Sequence, residues 1–359
     1  MTKQNELQQE FVTKGVEFFK NNNAGYYNLA MRFGKCKTAL TLLDEILGDH
    51  ATVLIAYPDN KLKQVWEHEC ELWGYHNPNI TYVNFSSLVK YTEYEFDMFI
   101  IDEFHSASEN ERTLSHEIID NCKYTLGLSG TVSDEKKLMW SCLKEIGSYS
   151  TLQGIEDGIL ADYQITVHYV PLDTLIKVKN KKGQYKTEKQ MYDGYTWVIE
   201  NLKRQGKSFM HLALSRNRLS LSSRGKMNYT KKLLSKLSDK RVLVFTGLAK
   251  VADELGIPSY HSKSKDDSAY IGFQNSKHNH LALAAMGKVG VTYKDLDSVI
   301  LLNFTYNAEE TSQILNRAIK LDYHSKVADL HIICLDEAVE KKKLKESLSM
   351  LDQTKINYL

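Results

Sequence analysis

The chain has 359 residues, is 42% hydrophobic and 25% charged, and carries a formal net charge of +1; these are values of a globular chain long enough for two ordinary domains, not of a disordered one. No run approaches the ~18 consecutive apolar residues of a membrane span, and the polar start MTKQNELQQEF lacks the apolar centre of a signal peptide, so no membrane is expected among its partners. The five cysteines (Cys36, Cys70, Cys122, Cys142, Cys334) are scattered and never form C-x-x-C, which argues against a zinc site and for reduced thiols in a cytoplasm, that of the host if the chain is phage-encoded.

Leu7, Phe11, Val16, Phe18 and Phe19 recur at three-to-four spacing and predict a helix within residues 1–27. Asn28 to Leu40, NLAMRFGKCKTAL, then has the layout of a phosphate-binding loop: an apolar lead-in, Gly34, and a helix opening at Lys37 and Thr38. In such a loop backbone N–H groups curl round a phosphate, the helix N-terminus adds its positive end, a lysine reaches the β/γ oxygens and a hydroxyl ligates Mg²⁺. Against G-x-x-x-x-G-K-[ST], Met31 and Cys36 stand at the two glycine positions, while Gly34, Lys37 and Thr38 supply glycine, lysine and hydroxyl. The alternative is an ordinary turn into an amphipathic helix.

Strands are expected at Thr52–Tyr57, ended by a Pro58-Asp59-Asn60 turn, and at Ile80–Phe85 and Phe96–Ile101. The last runs into Asp102-Glu103-Phe104-His105, which places two carboxylates at the C-terminal end of a buried strand, where α/β sheets bind ligands. An aspartate there holds Mg²⁺ and its neighbouring glutamate polarises the attacking water; acidic residues also cap helices, which is the alternative. Tyr124–Leu128 leads into Ser129-Gly130-Thr131, two hydroxyls about a glycine that suit sensing of a γ-phosphate beside Asp102 and His105. Leu138–Ile146 predicts a helix, and the first α/β unit closes near Ser150.

Gln164–Val170, Arg241–Thr246, Leu281–Met286, Ser298–Asn303 and a last strand at Leu330–Leu335 give a second parallel unit without a second phosphate loop, followed by a charged helix over Glu337–Leu351. Between them, Thr174–Lys240 holds 13 Lys and 4 Arg against 4 acids, a net of +13 that leaves −12 for the remainder. Such a segment is the footprint of a phosphate-backbone partner, and Arg216, Arg218 and Arg224 are candidates for it; a solvated linker is the alternative. Tyr185, Tyr192, Tyr195 and Trp197 interleave the cations in a way that suits base stacking, although the helical spacing about Trp197 favours a core position.

Taken in order, GKCKT, DEFH, SGT, VFTG, HSK, GKVGVT and QILNRAIK resemble the motor of superfamily 2 DExH-type helicases, in particular the UvsW-like phage and bacterial DNA helicases, over residues 5–335. The resemblance implies an α/β fold of two tandem RecA-like domains, 1–155 and 156–359, each a mainly parallel sheet flanked by helices, with ATP and Mg²⁺ in the cleft between them. It implies nucleotide contacts at Gly34, Lys35, Cys36, Lys37, Thr38 and Gly290, with metal at Thr38 and Asp102. Catalysis falls to Asp102, Glu103, Gln313, Arg317 and Lys320, and coupling to His105, Ser129 and Thr131. Lys320 stands where a second arginine is usual and lacks its planar fork; Gln8 or Gln9 resembles the glutamine that reads adenine. Nucleic acid, single-stranded or branched DNA foremost, would be gripped by Pro58, Ser86, Ser87, Thr246, His261, Ser262 and Thr292, and replication or recombination proteins are possible further partners. The implied function is an ATP-dependent DNA helicase or translocase. An RNA-directed motor, or an adaptor that binds nucleotide without motor activity because of Cys36 and Lys320, are the alternatives.

Overall fold

The computed structural model describes residues 2–130, 132–179, 183–284, 296–304, 308, 311 and 327–359, which fall into two compact units that divide at Ala161/Asp162. Among the described residues no helix is long and apolar enough to cross a membrane.

In the first unit, α1 (Lys3–Phe19) is capped by the Thr2 side chain and buries Gln8, Phe11, Val12, Gly15 and Phe19 along one stripe. There follow β1 (Ala24–Leu29), α2 (Lys35–Leu47), β2 (Val53–Tyr57), α3 (Lys61–Trp73), β3 (Ile80–Asn84), β4 (Phe96–Asp102), α4 (Glu109–Asp120), β5 (Cys122–Ser129), α5 (Asp134–Met139), β6 (Lys144–Tyr149) and α6 (Thr151–Glu156). The six strands form one sheet in the order β3-β2-β4-β5-β1-β6, every pairing parallel. Helices cover such a sheet on both faces, which is why β2 is buried at every position and β4 over its last five. The register sets Asn28 of β1 opposite Ser129 of β5, and Asp102 of β4 opposite Leu128. The loop after β1, the acids after β4 and the hydroxyl closing β5 therefore share one edge of the sheet.

The second unit contains β7 (Tyr163–Val170), the short antiparallel pair β8 (Val178–Lys179) and β9 (Tyr185–Lys186), then α7 (Glu188–Arg204), α8 (Met210–Leu221), α9 (Arg224–Lys236), β10 (Val242–Phe245), α10 (Ala249–Glu254), β11 (Ser259–Tyr260), α11 (Ser268–Gln274), β12 (His280–Leu283), β13 (Ser298–Leu301), β14 (Ala328–Leu335), α12 (Ala338–Ser347) and β15 (Ile356–Tyr358). Its seven-stranded sheet runs β11-β12-β10-β13-β14-β7-β15, again with parallel pairings throughout. Val242, Val244, Ile300, Ile333 and Leu335 pack from its strands against Leu234 of α9 and Val251 and Ala252 of α10.

Three local expectations are corrected. The helix expected over Leu138–Ile146 is the end of α5 followed by β6, because β1 offers an edge that Lys144–Tyr149 pairs along, and pairing overrides a short apolar pattern. Leu330–Leu335 lies in β14 but is not the last strand: β15 pairs with β7, and Tyr358 stacks on Tyr169 at 6.1 Å. Trp197 is not core; it is 67% exposed on α7.

Candidate nucleotide site

The loop between β1 and α2 is held from beneath by aromatic rings. Phe33 is buried between Phe11, with centroids at 5.3 Å, and Tyr149, at 4.7 Å. Its carbonyl accepts from Gln8 Nε2 at 2.6 Å and Gln4 Nε2 at 3.0 Å. Gly34 then turns left-handed (φ 96°) as the N-cap of α2 and offers no capping side chain, so the first N–H groups of α2 lack acceptors within the helix. A Cβ on Gly34 would lie 2.2 Å from Gln8 Nε2, and only glycine takes that φ without cost. Gln8 is buried on the loop, whereas Gln9 faces outward to Glu45, which separates the two glutamines. Asn5, Gln8, Gln9, Val12, Lys37 and Thr41 line a cavity of about 190 Å³ beside the loop.

Lys35, the first residue of α2, reaches the acid strand: its Nζ is bonded to Glu103 Oε1, and both side chains are largely buried. Burial works against the Lys35 charge, but Glu103 and then Asp102 more than offset it, so its pKa is raised. Burial likewise pushes Glu103 up, but Lys35 and then His105 bring its carboxyl below the usual range. Asp102, 3% exposed, is pushed up by burial despite Lys35, and its Oδ2 accepts from Trp66 Nε1 of α3 at 3.0 Å. Behind the acids, His105 Nδ1 lies 2.7 Å from Ser129 Oγ and 3.4 Å from Glu103 Oε2. Glu103 Oε2 and Asn28 Oδ1 are buried without a hydrogen-bond partner among the described residues. Glu103 (φ 51°) and Arg32 (φ 68°) both adopt the left-handed backbone, a conformation that costs a non-glycine residue ~1–2 kcal/mol and that concentrates at functional sites.

The geometry corrects the expected register of the loop. Lys37 turns away from the carboxylates: its Nζ donates to Asn5 Oδ1 at 2.6 Å and sits 3.9 Å from the Trp73 ring centroid. Thr38 is fully buried and its hydroxyl donates back to Gly34 O at 3.1 Å, as a helix interior threonine does. The lysine beside Asp102 and Glu103 is Lys35, and the next side chain along is the Cys36 thiol, which burial first and Asp102 second push well above its ordinary pKa. Trp66, which orients Asp102, is not marked in the sequence, because nothing local ties a tryptophan to an acid 36 residues away.

The residues expected to grip a strand meet different fates. Ser86 is exposed, but its N–H and hydroxyl both bond Asn84 Oδ1; Pro58 and Ser87 are half-buried. Thr246 is corrected: it is buried, and its hydroxyl donates to Leu248 O and Leu283 O, with nothing left for a phosphate. His261 Nε2 lies 3.0 Å from Asp253 Oδ1, and Ser262 is exposed. Arg218 is exposed on α8, Arg216 bonds Thr196 and lies over Tyr192, and Arg224 lies 3.9 Å from Asp173 Oδ2. Thr131, Gly290, Thr292, Gln313, Arg317 and Lys320 lie outside the described residues.

Two mainly parallel sheets flanked by helices, the first with a glycine loop and an acid strand at one edge, define a helicase-like fold of tandem RecA-like units. Among solved structures the chain is similar to the ATP-dependent Type ISP restriction-modification enzyme LlaBIII bound to DNA, with a TM-score of 0.61 and 12% identity over 98% of this chain and 31% of that one. It thus spans about a third of that protein's length, and the likeness is one of fold. No protein-family model matches the chain, and no curated protein matches its sequence. Nothing in these likenesses singles out the UvsW-like helicases.

The donors can be tested against the ligands that the resemblance implies. An uncapped helix start, a glycine cradle that a Cβ would fill and a buried lysine fit the phosphates of ATP. They fit Mg²⁺ only in part, because Asp102 is in place but the residue after Lys35 carries sulfur instead of a hydroxyl oxygen.

Proposed function

We propose that the chain is an ATP-driven DNA translocase or helicase whose phosphate loop is Gly34-Lys35-Cys36. The observation that carries this is the buried Lys35–Glu103 contact, which joins the loop to the acid strand beside Asp102. In this reading the N–H groups at the start of α2 and the Lys35 ammonium bind the β- and γ-phosphates, and adenine occupies the cavity over Gln8. Glu103, its carboxyl held ionised by Lys35 and His105, takes the proton of the attacking water. Asp102 is fixed by Trp66, and Ser129 with His105 forms a bonded path away from Glu103 by which the state of the nucleotide reaches the rest of the unit. Arg317, with Gln313 and Lys320, approaches the γ-phosphate from the second unit, and Gly290 and Thr292 complete the nucleotide and strand contacts. DNA is favoured over RNA because the similar solved structure is bound to DNA, and the net +13 segment supports a phosphate-backbone partner.

Glu103→Gln tests the proposal. The variant should still bind a fluorescent ATP analogue yet lose roughly 10²–10⁴-fold of its nucleic-acid-stimulated hydrolysis, the usual loss on removing a general base. Wild-type protein whose hydrolysis is not raised by single-stranded DNA, duplex DNA or RNA would overturn the motor, and stimulation by RNA alone would move the function to the RNA-directed class.

A further inference from the structure

The register of the loop decides which atom faces the metal position. With Lys35 against Glu103, the following residue, Cys36, holds the place at which a phosphate loop presents a serine or threonine oxygen to Mg²⁺. No nearby hydroxyl on α2 substitutes for it: Thr38 donates to Gly34 O and Thr41 donates to Lys37 O at 2.9 Å. The position around Cys36 is otherwise built for a cation. Asp102 is 3% exposed with one oxygen fixed by Trp66, and Glu103 Oε2 is buried without a hydrogen-bond partner among the described residues.

Magnesium is a hard ion that takes oxygen ligands almost exclusively. Thiolate sulfur selects softer divalent ions, and mixed sulfur, carboxylate and phosphate donors suit the zinc, cadmium and manganese end of the series. We propose that Cys36 Sγ is a metal ligand of the nucleotide site, so that this chain holds its nucleotide with a thiophilic divalent cation in preference to Mg²⁺. This inference rests on the phosphate-loop reading above and goes beyond it in naming the class of metal. The thiol is protonated until the metal arrives, and a coordinating metal displaces that proton to solvent.

The test uses the full chain and a non-hydrolysable ATP analogue with Mg²⁺, Mn²⁺ or Cd²⁺ as the only divalent ion. Wild type should bind the analogue at least roughly tenfold more tightly with Cd²⁺ than with Mg²⁺, with Mn²⁺ between them. Cys36→Thr should invert the order. A cadmium–thiolate charge-transfer absorption should appear on adding the analogue to cadmium-treated wild type and be absent from Cys36→Ser, a comparison that subtracts Cys142 and the other thiols. Equal affinity with all three ions in wild type, or an unchanged absorption increment in Cys36→Ser, overturns the metal assignment while leaving the loop intact. Failure of wild type and Cys36→Thr alike to bind nucleotide with any ion overturns the phosphate loop itself, and the metal assignment with it. The wild-type comparison of ions stands even if a variant does not fold.

Discussion

Two lysines two residues apart on α2 have opposite surroundings. Lys35 is buried against a carboxylate, while Lys37 lies on an indole face with its ammonium on Asn5. If the loop works in the register proposed, Lys35→Ala should abolish nucleotide binding, and Lys37→Ala should change it by no more than about the ~0.5–1 kcal/mol of an exposed cation–π contact. Titration of a fluorescent ATP analogue into each variant decides between them; loss with Lys37→Ala and not with Lys35→Ala would return the phosphates to Lys37 and Thr38. The neighbouring Gly34→Ala should cost ~1–2 kcal/mol of stability through its positive φ alone and also displace Gln8, which chemical denaturation would read as a lower midpoint. The loop itself is visible in the sequence, since a glycine before a lysine at a strand-to-helix junction is a local pattern. Its register is not: GKCKT contains two lysines and one threonine, and the spacing rule selects the pair that looks complete. Only the approach to Glu103, 68 residues later, shows which lysine faces the acids.

At the scale of elements, the buried parallel strands were legible because runs such as Val53–Tyr57 and Phe96–Asp102 are apolar almost throughout. The edges were not. β6 and β15 are paired along one side, so their sequences carry polar residues and their existence depends on the neighbour. A pair of adjacent strands also holds a feature that no motif announces. His168 of β7 and His331 of β14 face each other, Nε2 to Nδ1 at 3.1 Å, with Tyr229 Oη on His168 Nδ1 at 2.9 Å and His331 Nε2 buried without a hydrogen-bond partner among the described residues. Burial first and His168 second hold His331 down at about 4, with Asp329 opposing and Lys240 reinforcing; burial and Lys236 lower His168. Since the unfolded chain takes up a proton near pH 6.5 that the folded pair refuses, this stability is whole above pH 6.5 and is lost as pH falls toward 4. At pH 5 the loss from His331 should be roughly 2 kcal/mol relative to pH 7.5. His331→Gln should lose less than wild type over that interval in urea unfolding, and parallel pH profiles for the two proteins would refute the assignment.

For the molecule as a whole, the decisive quantity is charge placed against an otherwise acidic chain. Of the +13 segment, Lys226 is buried, donating to Leu302 O at 3.0 Å, Lys240 is bonded to Asp329 and Arg224 lies beside Asp173, so these cations serve the fold. Lys203, Arg204 and Arg218 are exposed on α7 and α8, as is Trp197, whose ring has 67% of its surface in solvent. An exposed indole among cations suits a stacked base with phosphates on either side, a combination that the helical spacing of the aromatics concealed, because spacing tells which residues share a face and not whether that face is covered. Charge reversal of Lys203, Arg204 and Arg218 together should therefore weaken binding of single-stranded DNA and flatten the dependence of log affinity on log salt by about 0.7 for each phosphate left without its cation. Trp197→Ala should weaken the same complex by ~1–3 kcal/mol with the salt slope unchanged, because stacking releases no counterions. Fluorescence anisotropy of a labelled oligonucleotide across a salt series separates the two effects. Arg224→Glu in the same assay reports a structural position: its unfolding midpoint should fall while the slope for the folded protein holds. A slope that drops for Arg224 and not for the exposed trio would place the strand along the Asp173 edge of the unit instead.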